Sequence, residues 1–384
     1  MDETRRRLAA VGAYLAGEGA VRAARAAGRT LWWVLKWTRR FRGGSPQWER
    51  DRSRAPHHSP GRAAAWLERL IVRVRVRLET RRRAQYGAQA IRQVLAARGI
   101  QPLPPVGLIH RVLTRHGQVR PRQRRFAPKG LLYPAIVPPG ALCHEMDAVG
   151  PRYLEGDGRF FSWHTMLVNS REVALEPHRH LTDPVMVAAL WATWQRLGWP
   201  DYAQLDNKTP FAPTVSNPCR LPRVLRWLLQ WGIEVIFIAL AEPWRNAHVE
   251  HFNGTYDTRF FRAQRFGSFA GLVQGERGFE RYHNREWRYS TLGNRTPAEV
   301  GARLVRRVPP AGPCPPLAPG VPPGRIHVVR LVRSDQRVDL FGLRLRLRVQ
   351  YMYRYAHAII STAERCVRVF VDGALVKEHP WPAE

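Results

Sequence analysis

The sequence predicts a mixed α/β core, preceded by all-α modules and followed by a small all-β barrel. Three observations support this fold class. In the middle of the chain, strand-like and helical segments follow one another in the order β-β-β-α-β-α-β-α, which is typical of a mixed five-stranded sheet with helices packed on it. Residues 1–117 show mainly helical periodicity. Residues 325–384 instead alternate with period two between turn residues, as short strands do.

The elements of the core follow from apolar runs and the turn residues between them. The Asp157-Gly158 step separates the first two runs and is a strong hairpin signal. The predicted strands are 141–154, 160–168, 172–180, 202–206 and 234–240, and the predicted helices are 183–197, 220–231 and 247–261. Trp191 and Trp194 fall within the first of these helices, and we expect both to be core residues.

Two helical modules precede the core. In the first, a helix over 21–30 contains Gly28 in its terminal turn and is followed by a second helix from Leu31, which is the arrangement of a helix-turn-helix. Any antiparallel helix pair gives the same pattern. The second module has three predicted helices, the last of them short and arginine-bearing. If these helices enter a major groove, the candidate contacts are Arg39, Arg40, Arg111 and Arg115.

Linkers rich in Gly, Pro, Ser or Arg separate the predicted modules. The predicted organisation is 1–42, a first helix-turn-helix-like DNA-binding module; 43–62, a basic linker; 63–117, a second such module; 118–136, a basic linker; 137–304, the mixed α/β core; 305–324, a Pro/Gly-rich linker; and 325–384, the small β-barrel. Alternation within 343–349 puts Arg344 and Arg346 on one face and apolar residues on the other, so the barrel is expected to have a cationic wall that binds DNA.

Charge is distributed unevenly along this strongly basic chain. The net charge is +32 and the pI is about 11.4. Residues 1–130 hold 30 Lys and Arg against 7 Asp and Glu, residues 131–300 hold 18 against 17, and residues 301–384 hold 14 against 6. A GC-rich genome that favours arginine codons would spread the excess evenly, whereas here it lies at the two ends. A polyanionic partner, such as nucleic acid, is therefore expected for the ends.

Other protein classes find little support in the sequence. The four cysteines are scattered without a Cys-x-x-Cys pair, so neither a zinc site nor a disulfide framework is predicted. No apolar run approaches the ~20 residues of a membrane helix, and the first residues lack the apolar segment of a signal peptide. We expect a cytoplasmic, nucleoid-associated protein.

Three acidic residues stand out within the nearly neutral core. Asp147 lies in the first predicted strand, Asp206 ends the fourth, and Glu250 lies in the helix after the fifth. The first and fourth strands can be neighbours, and a helix packed across them would bring Glu250 close. Three carboxylates that meet repel one another unless cations bridge them, and two Mg²⁺ ions about 3.5–4 Å apart would do so. Taken singly, each acid also suits an ordinary surface or capping position.

The residues around these acids resemble a known family. Asp147, the segment Asp206-Asn207-x-x-x-Phe211 and the segment Pro243-x-x-Asn246-x-x-Val249-Glu250-x-x-Asn253 are together similar to the integrase catalytic core of DDE transposases. The similarity is greatest to bacterial insertion-sequence transposases with a retroviral-integrase-like core, and it covers about residues 10–300.

This resemblance has several implications. It implies a ribonuclease-H-like fold in which the three acids bind two Mg²⁺ (or Mn²⁺) ions for DNA strand cleavage and strand transfer. It also implies that element ends and target DNA are the substrates, and that the chain self-associates into a DNA-bound dimer or higher multimer. Lys208, Ala247 and His251 stand where the family usually has Gly, Gly and Arg. None of these departures removes a carboxylate.

Polar residues beside the acids are further candidates for DNA contacts. They are Asn207, Lys208, Arg245, Asn246 and Asn253. The three asparagines are equally suited to orienting the carboxylates or capping helices, and Lys208 either contacts DNA or competes with metal.

Two alternatives to a transposase remain open at this point. One is a transposase-derived DNA-binding regulator with a silent core. The other is a ribonuclease-H-like nuclease without joining activity, which the two helix-turn-helix-like modules disfavour because such modules suggest recognition of DNA ends.

Overall fold

A computed structural model of the chain describes residues 2–44, 46–51, 62–81, 83–119, 132–207 and 221–381. These residues belong to two compact units, Met1–Ala65 and Trp66–Glu384. Within the described ranges, no helix combines the length and the apolar character needed to cross a membrane.

The first unit is built from three helices, α1 (Glu3–Leu15), α2 (Ala20–Ala27) and α3 (Leu31–Arg42). Helix α2 ends at Gly28, whose φ of 62° is left-handed and suits glycine. Helix α3 begins after Thr30, whose side chain accepts a hydrogen bond from the Trp33 amide. The predicted succession of helix, glycine-containing turn and helix is therefore confirmed.

Helix α3 divides its residues between a packed face and an exposed face. Trp37 is buried, and the Arg7 guanidinium lies 3.9 Å from its ring centroid. The exposed residues Trp32, Lys36 and Arg39 follow one another at i, i+4 and i+7 and therefore share the opposite face. This unit thus presents an aromatic and cationic helix face to solvent.

The second unit begins at Trp66, within α4 (Ala65–Thr80), and continues with α5 (Ala88–Ala97) and α6 (Val106–Arg115). Each of the three helices contributes fully buried apolar residues. The carboxylate of Glu68 in α4 accepts hydrogen bonds from the Arg115 guanidinium and the His116 ring, which joins the ends of α4 and α6.

The rest of the second unit is organised around one nine-stranded sheet and one hairpin. The strands are β1 (Cys143–Leu154), β2 (Gly158–Leu167), β3 (Glu172–His178), β4 (Tyr202–Leu205), β5 (Glu234–Phe237), β6 (Arg325–Leu331), β7 (Arg337–Leu340), β8 (Leu343–Arg346), β9 (Tyr355–Ser361), β10 (Cys366–Val371) and β11 (Ala374–Pro380). Their order in the large sheet is β11-β10-β9-β6-β5-β4-β1-β2-β3, and β7 and β8 form the hairpin. Strands β1, β4, β5 and β6 are parallel neighbours, and the other pairs are antiparallel.

Helices cover both faces of the core part of the sheet. On one face, α7 (Asp183–Leu197) and α8 (Arg223–Gln230) pack on the apolar side chains of β1, β4 and β5. Trp194 and Trp227 stack there with ring centroids 4.5 Å apart, which confirms the core position predicted for Trp194. On the other face, α9 (Ala247–Tyr256) and α10 (Phe269–Arg285) contribute an aromatic cluster.

The strand and helix order predicted for the core is confirmed from β1 to α9. The first and fourth strands are neighbours, as expected. The mixed sheet with helices on both faces fits a ribonuclease-H-like core. Helix α10 was not predicted from the sequence.

The predicted separation of a small C-terminal barrel is wrong. Strand β6 pairs in parallel with β5, so that the C-terminal strands β6, β9, β10 and β11 extend the core sheet rather than forming a sheet of their own. In the described part of this segment, only the β7–β8 hairpin stays outside the large sheet, and its buried residues Val338, Leu340 and Leu345 join the same apolar cluster as the core. Backbone hydrogen bonds therefore run without a break from the core into the C-terminal strands.

Candidate active site

The pairing of β1 with β4 aligns two of the three predicted acids. Cys143, His144 and Glu145 pair in parallel with Tyr202, Ala203 and Gln204, respectively. The same register continued by two residues sets Asp147 opposite Asp206, which directly follows β4. Side chains directly opposite each other in a sheet project from the same face.

The N-terminus of α9, the helix that carries Glu250, is fixed to β1 by a buried carboxylate. Glu145 accepts hydrogen bonds from the backbone amides of His248 and Val249 at 2.8 and 3.0 Å, and its second oxygen lies 2.7 Å from His248 Nδ1. Amides in the first turn of a helix lack intrahelical partners, and an anion at this end is favoured by the helix dipole. Glu145 therefore caps α9 from the neighbouring strand.

Asn246 and Gln204 strengthen the same attachment. The Asn246 side chain is 2% exposed, and its Nδ2 donates to the Met146 carbonyl at 3.0 Å. Gln204 Nε2 donates to the Arg245 carbonyl and to Asn246 Oδ1. The Asn246 side chain thus fixes the start of α9 to β1 and β4, a role that the sequence did not suggest for it.

Asn253, one turn after Glu250, bridges α9 to Asp147. Its Nδ2 donates to Asp147 Oδ2 at 2.7 Å, and its Oδ1 lies 2.7 Å from Nδ1 of His164, the β2 residue paired with Asp147. Burial lowers the pKa of His164 to about 4, so the ring is neutral at pH 7 and its Nδ1–H donates to Asn253. This arrangement directs an amide donor at Asp147 and limits the orientation of its carboxylate.

The low pKa of His164 makes a testable contribution to acid sensitivity. Between pH 6.5 and about 4 the unfolded chain protonates this histidine whereas the folded chain does not. The free energy of unfolding therefore falls as the pH falls through this window, by up to about 1.4 kcal/mol per pH unit for this group. Replacing it in His164→Gln, which keeps a donor for Asn253, is expected to give a shallower slope. Urea unfolding at pH 7, 6 and 5 measures this, and equal slopes for the two proteins would contradict it.

Glu250 itself is exposed on α9. It lines an open groove of about 910 Å³ together with Asn253, Trp244, Arg152 and Arg259. Among the residues that the structure describes, no three His, Cys, Asp or Glu side chains lie close enough together to hold a metal ion. The three predicted acids thus belong to adjacent elements without forming a closed metal-binding cluster. Their oxygen donors are the kind that Mg²⁺ and Mn²⁺ prefer.

Two other predicted DNA contacts near the site are engaged within the protein. The Arg245 guanidinium donates to Glu242 at 2.9 Å and lies 3.9 Å from the Tyr133 ring centroid, so it anchors the loop before α9. Asn207 donates to the Ile238 carbonyl at 2.6 Å and joins the ends of β4 and β5. Lys208 lies outside the described residues.

The arginines predicted to contact DNA in the modules at the two ends differ in their exposure and in whether they bind other residues of the protein. Arg39, Arg111 and Arg346 are exposed. Arg40 packs over the Trp37 ring, Arg115 binds Glu68, and Arg344, although exposed, pairs with Asp339 at 3.3 Å.

Sequence reasoning missed three residues that organise the site, namely Glu145, Gln204 and His164. A signal was present for the first two. Each precedes a predicted acid by two residues on a strand, and period-two alternation puts residues i and i+2 on the same face. His164 carried no such signal, because its position opposite Asp147 depends on the β1–β2 register.

No protein-family model matches the chain. Among solved structures, similar ones include the simian T-cell lymphotropic virus intasome in complex with PP2A regulatory subunit B56 gamma, which is 14% identical, with 76% of this chain and 93% of that chain covered and a TM-score of 0.37. The HTLV-2 integrase catalytic core domain in complex with magnesium (dimeric form) is 13% identical, with 41% and 94% covered and a TM-score of 0.32. The BIV integrase catalytic core domain is 16% identical, with 42% and 95% covered and a TM-score of 0.30. Because these TM-scores lie below 0.5, the fold assignment rests on the strand order of the chain itself.

Proposed function

We propose that the chain is a DNA recombinase of the DDE transposase and integrase type, in particular of the bacterial insertion-sequence kind. In this proposal it binds element ends and catalyses strand cleavage and strand transfer with Asp147, Asp206 and Glu250. The observation that supports the proposal is the parallel β1–β4 pairing, whose register would bring Asp147 opposite Asp206 if it continued two residues beyond Glu145 and Gln204. The attachment of the Glu250 helix to β1 supports it further.

Asp147, Asp206 and Glu250 would hold two Mg²⁺ or Mn²⁺ ions. When bound, such ions activate the attacking water or 3′-hydroxyl and stabilise the leaving oxygen. The protein contributes positioning. Asn253 orients the carboxylate of Asp147, and Glu145 fixes the start of α9 and with it the backbone of Glu250 relative to β1. Positioning of this kind lowers the entropic cost of reaction.

The cationic ends of the chain would supply DNA binding. The exposed face of α3 and the module at 63–117 would recognise element ends, and exposed arginines of the C-terminal strands would bind phosphates. Joining two ends requires two active sites, so we further propose a DNA-bound dimer or higher multimer.

A cleavage and joining assay tests the proposal. The purified chain is incubated with DNA that carries the inverted repeats flanking its gene, with Mg²⁺, Mn²⁺ or EDTA. Metal-dependent 3′-end cleavage and joined products are expected, and a variant with Asp147→Asn, Asp206→Asn and Glu250→Gln should form neither. Products that need no metal, or that the triple variant also forms, would refute the proposal. Binding of these ends without product under any condition would favour the silent DNA-binding regulator.

A further inference from the structure

The β7–β8 hairpin sets like charges opposite each other. Arg337 pairs directly with Arg346, and the neighbouring pair is Val338 with Leu345. The side chains of Val338 and Leu345 are buried, so Arg337 and Arg346 lie on the opposite, exposed face of the hairpin. Directly opposed like charges destabilise an antiparallel pair. An anion bound between the two guanidinium groups would remove this repulsion, so the arrangement suits a bound polyanion.

This exposed face borders a groove of about 630 Å³ between the hairpin, the end of β6 and the loop that follows β5. We call it the hairpin groove. Arg333, Arg337 and Arg344 line it, and all three are exposed. Within the described residues, the guanidinium groups of Arg333 and Arg337 form no ion pair.

Three acidic residues also line the hairpin groove, and two of them are paired with arginines. Glu242 accepts from Arg245 and from the Tyr355 hydroxyl, at 2.9 and 2.6 Å. Asp339 accepts from the Gly342 amide and from Arg344. The third, Asp335, accepts from the Arg337 backbone amide at 3.2 Å. Two of the three carboxylates are thus paired with arginines, which leaves the guanidinium groups of Arg333 and Arg337 with the single carboxylate of Asp335, so positive charge predominates in the groove.

Trp244 connects the hairpin groove to the candidate active site. Its side chain is 49% exposed and lines both the hairpin groove and the groove that contains Glu250. An exposed ring beside arginines is the combination that binds single-stranded nucleic acid, because bases stack on the ring while phosphates bind the cations. A duplex keeps its bases stacked in its interior and offers no base face to the ring.

We propose that the hairpin groove, lined by Arg333, Arg337 and Trp244, binds a single-stranded DNA segment that runs past Trp244 towards the candidate active site. Arg346, opposite Arg337 on the adjoining exposed face of the hairpin, also contacts this segment. The direction of the strand towards the candidate active site rests on the proposed function, whereas binding of the strand in the hairpin groove does not. The arginines bind successive phosphates and the indole stacks on a base.

Fluorescence anisotropy with the full chain in EDTA tests this, using a labelled oligothymidylate and a duplex of the same length. The variants are Trp244→Ala and the double substitution Arg337→Gln with Arg346→Gln. The charge-matched control is Arg265→Gln with Arg303→Gln, which removes two exposed arginines outside the groove. Trp244→Ala is expected to weaken single-strand binding about tenfold. The arginine variant should lower the slope of log K against log salt by about 0.7 per lost phosphate contact.

The arginine variant has a second expected signature. Because it removes opposed like charges, its melting temperature without DNA should equal or exceed that of the unmodified protein. A lower melting temperature would mean that the arginines are structural and would contradict the proposal. So would an equal loss of binding in the control, or a loss confined to the duplex. Cleavage activity plays no part in these readouts, so a chain that binds in this way but never cleaves would contradict only the proposed function.

Discussion

Asp147→Asn is expected to lower the rate of metal-dependent strand cleavage by about a thousandfold or more, which corresponds to roughly 4 kcal/mol of lost transition-state stabilisation. An amide is a poor ligand for a hard divalent cation, and the substitution removes one of the three proposed charges. The free energy of unfolding should change by less than about 0.5 kcal/mol. The amide oxygen can still accept the hydrogen bond from Asn253, so the local packing is preserved.

The measurements for this prediction are single-turnover cleavage with Mg²⁺ and urea unfolding of the same preparations. Glu155→Gln is the matched control, since it is also an isosteric loss of one carboxylate, but at an exposed turn where the side chain is 73% accessible. Its cleavage rate should be unchanged. Equal activity of Asp147→Asn and the control would remove Asp147 from the mechanism.

Glu145→Ala is expected to destabilise the second unit by about 3 kcal/mol and to disorder the start of α9. The substitution leaves two amides at a buried helix terminus without acceptors, and each such group costs about 1–3 kcal/mol. Cleavage should fall as well, because α9 carries Glu250. Glu145→Gln retains one acceptor oxygen and should cost less. Comparing the losses of unfolding free energy in the two variants therefore separates the effect of the lost hydrogen bonds from the effect of the lost charge.

Urea unfolding gives the size of this effect, and hydrogen exchange of residues 247–256 gives its location. The faster exchange should be concentrated in these residues. Glu155→Ala provides the control and should stay within about 0.5 kcal/mol of the unmodified protein. A Glu145→Ala protein that is as stable as this control would show that α9 does not depend on the cap.

Local patterns predicted the local parts of the fold. The β1–β2 hairpin was found from its Asp-Gly step, and α7 and β4 were found from apolar runs and the turn residues that bound them. Helix α10 was missed because its buried stripe includes Glu276, Glu280 and His283, so the side that faces the core looks polar in the sequence. Burial raises the pKa of Glu276 to about 7, and hydrogen bonds from Ser162 and the Tyr256 hydroxyl hold it in the aromatic cluster.

The positions of the three acids were predicted from motif resemblance and strand order, and the β1–β4 pairing agrees with that order. Their supporting network could not be predicted in the same way. The bonds from Glu145 to α9 and from Asn253 to Asp147 join residues more than 100 positions apart. Such bonds depend on how a helix is docked, which no local pattern encodes. The β5–β6 pairing was missed for the same reason, because it joins strands separated by three helices.

That pairing gives the C-terminal strands a protective role. Without β6, the backbone amides and carbonyls along one side of β5 would lie open, next to the apolar residues Val235, Ile236 and Phe237. Unpaired edges of this kind recruit strands from other molecules and promote aggregation. A shortened chain that stops after α11 (Pro297–Gly301) would therefore leave β5 as an unpaired, aggregation-prone edge strand, although β5 lies inside the sheet of the full chain. The C-terminal segment serves as a cover for the core, whatever else it binds.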